Sequence, residues 1–325
     1  MKRRELIMAL SGGAAWSLTA RAQRPPMPVV AVLSALAQQA TAHLLTAWRK
    51  GLAETGYIDG RNVLVEFRFA SGQYGRLPEL ADELVKQPAD LIVTMGPPAA
   101  LAAKIATTTI PIVFIVGVDP VGAGLVASFN RPGGNATGMT LITGPLGQKR
   151  LEIVRELVPG VKLVPMLLNP TSPDAIPELR DVQGAAQALG IELRVFQASS
   201  PTEIDAAFAA LAEQRPDALL VGSDPFFTGQ AEHFAALAAR LRVPAIYPFR
   251  EFTAAGGLVS YGTNLANAYR QAGIYTGRIL KGDRPADLPV VQPTAFELVI
   301  NLKTAKALNI EIPATLHARS DEVIE

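Results

Sequence analysis

The sequence predicts an α/β chain of two Rossmann-like lobes built on parallel sheets. Three observations point there. The chain has 325 residues, more than one core of ordinary size uses. From Pro28 onward, short β-branched runs alternate with stretches of helical period, the signature of βαβ units. That alternation then runs through a second time in the same order.

Lys2-Arg3-Arg4 precedes an apolar stretch over 6–18 and the triplet Ala20-Arg21-Ala22. This has the form of a secretory signal peptide, 1–22, cleaved after Ala22. The stretch is shorter than the roughly 20 residues a bilayer core requires, which argues against an anchor. Arg3-Arg4 also fits a twin-arginine signal, a route for proteins exported already folded. Either route predicts a periplasmic protein.

In the first series, 29–33 is a continuous apolar run suited to a buried parallel strand. A helix over 42–55 follows, with Leu44, Leu45, Trp48 and Leu52 on one face and Gly56 closing it. The pairs 63–69 with 77–86, 91–95 with 99–106, and 112–116 with 124–129 repeat the unit. The second series pairs 163–168 with 176–189, 193–196 with 203–213, and 218–221 with 232–241, and ends in strands at 245–247 and 257–261. A helix over 265–281 and the Pro-rich 285–293 do not extend that series. They are read as a return to the first lobe, with 298–308 crossing again to the second. Lobe 1 is then 28–140 plus 265–291, and lobe 2 is 141–264 plus 292–325.

The formal net charge is +1; the first 22 residues carry +3, leaving −2 on the rest. A faintly acidic body with no basic run has no electrostatic footprint for nucleic acid or for an anionic membrane surface. With no cysteine, disulfides, thiolate metal sites, a Cys nucleophile and a lipidated N-terminal Cys are excluded. The histidines, His43, His233 and His317, are single and widely spaced, without metal-ligand spacing. Gly133-Gly134-Asn135 lacks the Walker spacing and reads as a turn into a strand that leads to the hinge. No nucleophile elbow or dinucleotide fingerprint is present. The expectation is therefore no catalytic residue, no metal and no cofactor.

Several phrases resemble the ABC-transporter substrate-binding family that includes tryptophan- and tyrosine-binding proteins. They are Gly56-Tyr57, Gly60-Arg61-Asn62, Ile110-Pro111-Ile112-Val113-Phe114, Asp119-Pro120-Val121 and 131–138. Toward the C-terminus, 256–262, 279–282, Asp287-Leu288-Pro289 and 296–301 resemble the same family in the same order. The resemblance spans nearly the whole mature chain. It implies a type I periplasmic-binding-protein fold with three interlobe crossings, closing on its ligand by a hinge. It also implies an amino acid or aromatic carboxylate as ligand, and ABC permease subunits as partners. A ligand-presenting sensor for a membrane receptor and a secreted enzyme on the same scaffold remain alternatives.

Ligands of open parallel sheets sit beyond the carboxyl ends of the strands, which selects the candidates. Gly96-Pro97 opens a helix whose N-terminus would suit a ligand carboxylate, with Ser34 beside it; a plain turn explains both too. Ser223-Asp224 ends a second-lobe strand, and Asp224 would accept from a ligand ammonium or cap the next helix. Tyr247, Phe249 and Tyr261 end successive strands and would stack on a flat ligand or fill the core. Asp119 and Asn169 close strands of the two lobes, and Thr140 and Asn264 fall near the crossings, where turn-making also accounts for them.

Overall fold

A computed structural model of the protein describes residues 27–141, 143 and 146–325, so the predicted signal peptide lies outside the described residues. The first sheet consists of β1 (Val29–Ser34), β2 (Leu64–Phe69), β3 (Leu91–Met95), β4 (Ile112–Val116) and β5 (Ala136–Thr140). Its order is β2-β1-β3-β4-β5 and every pairing is parallel. The crossover helices are α1 (Gln38–Glu54), α2 (Leu77–Lys86) and α3 (Pro97–Ala106). β1, β3 and β4 are covered on both faces, which is why they read as apolar runs, interrupted only by Thr94 in β3 and by Ser34 at the end of β1.

The expected helix over 124–129 does not form. Asp119 to Val126 is a series of tight turns, with Leu125 N–H on the Pro120 carbonyl and Gly124 at φ +73°. A glycine in the left-handed region ends a turn more readily than it starts a helix.

The second half carries α4 (Leu146–Leu157), β6 (Leu163–Leu168), α5 (Ala175–Leu189), β7 (Glu192–Gln197) and α6 (Pro201–Gln214). Then come β8 (Leu219–Val221), α7 (Pro225–Thr228), α8 (Ala231–Leu241), β9 (Ala245–Tyr247), α9 (Arg250–Ala254) and β10 (Val259–Gly262). The chain ends with α10 (Leu265–Leu280), β11 (Glu297–Asn301), α11 (Leu302–Leu308), α12 (Ala314–Arg319) and β12 (Glu322–Ile324). The second sheet runs β12-β11-β10-β9-β8-β6-β7. It is parallel except at β10–β11, which pair antiparallel. β11 enters after a crossing rather than through a βαβ unit, so nothing forces it to run parallel.

α10 is the helix that returns to the first sheet. It packs against α1 and lies on β3, β4 and β5. Gly51 on α1 faces the Arg270 backbone, and Gly273 on α10 faces the backbone of Trp48 and Leu52, so the helices approach too closely for any side chain there. The segment after α10 then runs along β5: Thr140 N–H donates to the Val291 carbonyl at 3.0 Å, and Val291 N–H to the Gly138 carbonyl at 2.9 Å. Two crossings are joined where the Thr263 hydroxyl donates to the Leu141 carbonyl at 2.6 Å. The largest apolar core includes residues of both lobes, among them Trp48, Leu52, Phe227 and Phe234.

Candidate ligand-binding site

A narrow cavity of about 40 Å³ lies between the two sheets; small-molecule sites run to roughly 300–1,000 Å³, so a ligand the size of an amino acid would have to part the lobes here to enter. Gly96 and Pro97 border it beyond β3, Gly117 beyond β4, Ser223 and Asp224 beyond β8, and Phe249 beyond β9. This is the carboxyl-end position expected of parallel sheets. The wall is largely apolar, with Leu36, Leu44, Ile115, Leu141 and Leu265 as its aliphatic part. Among the described residues, no Lys, Arg or His lines it.

The two lobes touch around this cavity. The Tyr74 hydroxyl, from the loop after β2, donates to Asp224 Oδ2 at 2.8 Å and accepts from Phe226 N–H at 3.0 Å. A Cβ on Gly72 would stand 2.6 Å from the Phe226 ring, and one on Gly96 would stand 2.8 Å from Pro225 Cγ. Glycine at 72 and 96 is therefore what lets the lobes meet. Both also have positive φ, +80° and +97°, which favours glycine independently.

Asp224 is fully engaged. Its Oδ1 accepts from Phe227 N–H at 3.1 Å, which caps α7, and from Asn169 Nδ2 at 3.2 Å. Burial pushes its carboxyl above the ordinary range, while the bonds from Tyr74, Asn169 and Phe227 pull the other way. The Tyr74 hydroxyl is held well above its usual range by burial and by the Asp224 charge.

Asp174, at the start of α5, differs in kind. It is 4% exposed, lines the cavity and, among the described residues, its carboxylate has no hydrogen-bond partner. Burial holds it well above the usual carboxylate range, and the charges of Glu178 and Asp224 add to that. Tyr269 of α10 also lines the cavity and is 3% exposed, and its hydroxyl has no partner among the described residues. A buried polar group without a partner is costly, and a cavity edged by two of them is incomplete without something to bond.

Behind these groups sits Arg150 of α4, with no exposed surface. Its Nη1 donates to Glu178 Oε1 at 2.9 Å and its Nε to the Tyr261 carbonyl at 3.0 Å. Glu178 in turn accepts from Ser223 N–H at 2.8 Å and from the Ser223 hydroxyl at 3.3 Å. Burial pulls the Arg150 pKa down and pushes that of Glu178 up; the attraction between them opposes both shifts.

Of the twelve residues named from sequence, Gly96, Pro97, Ser223, Asp224 and Phe249 line the cavity. Asn169 stands behind it, on Asp224. Ser34 shapes the β1–α1 turn by accepting from Leu36 N–H at 3.1 Å. Thr140 ends β5, and Asn264 caps α10 and bonds Glu297. Asp119 holds its own turn through the Val121 and Gly122 N–H groups. Tyr247 is fully buried and stacks on Phe252 at 4.9 Å, and Tyr261 packs against Phe296, so neither ring borders the cavity. The helix N-terminus at Gly96 is also poorer than its position suggested. Pro97 and Pro98 carry no N–H, and only Ala99 retains a free donor in that turn.

Asp174, Tyr269 and Tyr74 were not found by sequence. Asp174 carried the same signal as Asp224, an acid in the loop after a strand of the second series. Tyr269 reads as a core aromatic of an amphipathic helix, and Tyr74 acts only through the approach of the other lobe.

Two lobes joined by several crossings, with a mostly apolar cavity and unpartnered polar groups between them, define a cleft-type solute-binding protein. Residues 29–324 match the ABC transporter substrate binding protein family, and the chain belongs to it. It is 28% identical to a tyrosine-binding protein of Clostridioides difficile, over 81% of this chain and 75% of that protein. Among solved structures, a conserved domain protein from Vibrio cholerae superposes with TM-score 0.85 at 28% identity, covering 91% of this chain and 99% of that one. A Streptococcus pneumonia ABC domain in complex with L-Trp gives TM-score 0.83 at 26% identity, with the same coverage. The fold is thus that of the type I periplasmic binding proteins, and its relatives are solute-binding proteins rather than enzymes.

Proposed function

We propose that the mature chain is the exported, periplasmic capture component of an ABC importer, binding one amino acid with an aromatic or other apolar side chain in the interlobe cavity. The observation that carries this is Asp174: a buried carboxylate that, among the described residues, has no partner and faces an apolar wall without a cation. A ligand ammonium is the group such a site accepts, whereas an aromatic carboxylate without an amine would meet only negative charge there. The ligand carboxylate would reach backbone donors instead, the Ala99 N–H and the uncapped N-terminus of α1. Tyr269 and Phe249 would face the side chain. The relatives that bind tyrosine and L-Trp support the same ligand class.

Closure would rotate 28–140 with 265–291 against 141–264 with 292–325, the hinge lying in the crossings. A ligand stabilises the closed state only by binding it better than the open one, and the cavity draws contacts from both lobes. The permease would read that closed state.

The test is calorimetry on the chain starting at Gln23, with L-tyrosine, L-tryptophan and their analogues lacking the amine. Saturable binding of an amino acid, absent for its des-amino analogue, is expected. Equal binding of both forms would refute the ammonium site, and no binding of any amino acid would refute the ligand class.

A further inference from the structure

Arg150 and Glu178 line neither the surface nor the cavity, yet their side chains bond the Ser223 residue beside Asp224 and the end of β10, and Glu178 shares α5 with Asp174. Glu178 lies one turn after Asp174 on α5, and its backbone N–H donates to the Asp174 carbonyl at 3.0 Å. Its carboxylate receives the N–H and hydroxyl of Ser223, the residue before Asp224. Arg150 adds the Tyr261 carbonyl at the end of β10 and lies 3.5 Å from the Ser223 hydroxyl.

The sequence makes room for this. A Cβ on Gly147, one turn before Arg150, would strike Val182, one turn after Glu178, so α4 and α5 meet closely enough for the pair to form. A Cβ on Gly222 would stand 3.1 Å from the Leu167 carbonyl and 3.3 Å from Glu178 Oε2. Glycine there keeps the end of β8 open to the Glu178 carboxylate.

Buried ion pairs are weak contributors to net stability, because desolvation offsets their attraction; their replacement by apolar residues is often neutral. Fixing geometry is a use that survives this objection. We propose that the Arg150–Glu178 pair is the positioning element of the ligand site, holding the Ser223–Asp224 turn and the Asp174 carboxylate in one arrangement. This rests on the ligand reading above. The pair also sets the local charge. Asp174 is faced by Glu178 on its own helix, by Asp224 from the β8–α7 turn and by Tyr74 from the other lobe, and Arg150 offsets one of the three buried carboxylates.

Two measurements test it. In the mature chain, R150M/E178L should keep a melting temperature near that of wild type while binding L-tyrosine and L-tryptophan at least about tenfold more weakly, with R150K recovering part of the loss. In E178Q, the Asp174 carboxyl, assigned by comparison with D174N, should titrate at lower pH by 13C NMR without ligand, because the Glu178 charge that faces it is removed. Wild-type affinity in the double variant, or an unmoved Asp174 titration in E178Q, overturns the proposal. If wild type binds neither amino acid, the ligand reading fails, while the Asp174 titration still decides this one. If the double variant does not fold, R150K and E178Q decide it: binding as tight as wild type in both would refute a positioning role.

Discussion

Replacing Tyr74 by Phe removes one oxygen and should loosen closure without touching the ligand. In this structure that oxygen donates to Asp224 at 2.8 Å and accepts from Phe226 N–H at 3.0 Å. Both partners are buried there, Asp224 at 3% exposure, so phenylalanine leaves a carboxylate oxygen and an N–H without their bonds. When the lobes part, water would reach both, and the loss falls on the closed state alone. A hydrogen bond to a charged group is worth about 1.5–3 kcal/mol, or roughly 10- to 150-fold in the closing equilibrium. If the open form dominates without ligand, that whole factor appears as weaker affinity, since the binding-competent state is depleted in proportion. The assay is calorimetric titration of Tyr74→Phe with L-tyrosine, paired with small-angle scattering of the unliganded protein. Weaker binding is expected if the open form dominates without ligand, and a larger radius of gyration of the unliganded protein if the closed form does. Unchanged affinity and unchanged dimensions would show that the Tyr74 contact does not hold the lobes together.

Three further substitutions test other parts of the argument. Asp174→Asn should weaken binding of an amino acid by roughly 10- to 150-fold, the worth of one charged hydrogen bond, as read by calorimetry. The same variant should be more stable than wild type when empty. The folded pKa of Asp174 is raised, so the stability it contributes is whole below the unfolded value near 4 and is lost as pH rises through the folded value. Melting curves should therefore show the advantage of D174N at neutral pH and its disappearance as pH falls toward 4. Gly96→Ala places a side chain at φ +97°, at a cost of about 1–2 kcal/mol in urea unfolding, and additionally opposes closure against Pro225, so binding should fall further than stability alone explains. Gly273→Ala puts a methyl group into the backbone of α1 at Trp48 and Leu52, and its loss in urea unfolding should reach the upper end of about 1–3 kcal/mol or beyond.

The repeated βαβ pattern was legible because fully buried parallel strands have to be apolar almost throughout. β1, β3 and β4 could hardly have been read otherwise. The return of α10 was legible for a related reason, since the helical period of 265–281 broke the alternation of the second series. The elements that escaped notice were short or lacked an apolar rhythm of their own. α7 and α9 are four and five residues long, and β12 is three, so none is long enough to repeat its period. At the site, strand ends pointed to Gly96, Ser223, Asp224 and Phe249, which line the cavity, but not to which atoms remain free there. Whether an acid at a strand end is spent or available depends on what the other lobe brings to it. Asp224 and Asp174 look alike in sequence, and the bonds from Tyr74, Asn169 and the Phe227 N–H separate them.

That separation implies a division of labour between the two acids. Asp224 receives bonds from both lobes, so its energy depends on whether the cleft is open or shut. Asp174 receives none among the described residues, so its energy depends on whether the cleft is filled. The two are coupled, because each carries charge near the other and one ion pair anchors the segments that bear them. An ammonium that relieves Asp174 also makes it easier for Asp224 to remain ionised, and an ionised Asp224 strengthens the bond from Tyr74. Ligand charge and lobe closure would then reinforce each other through side chains less than one helical turn from the cavity, with no displacement of the sheets required.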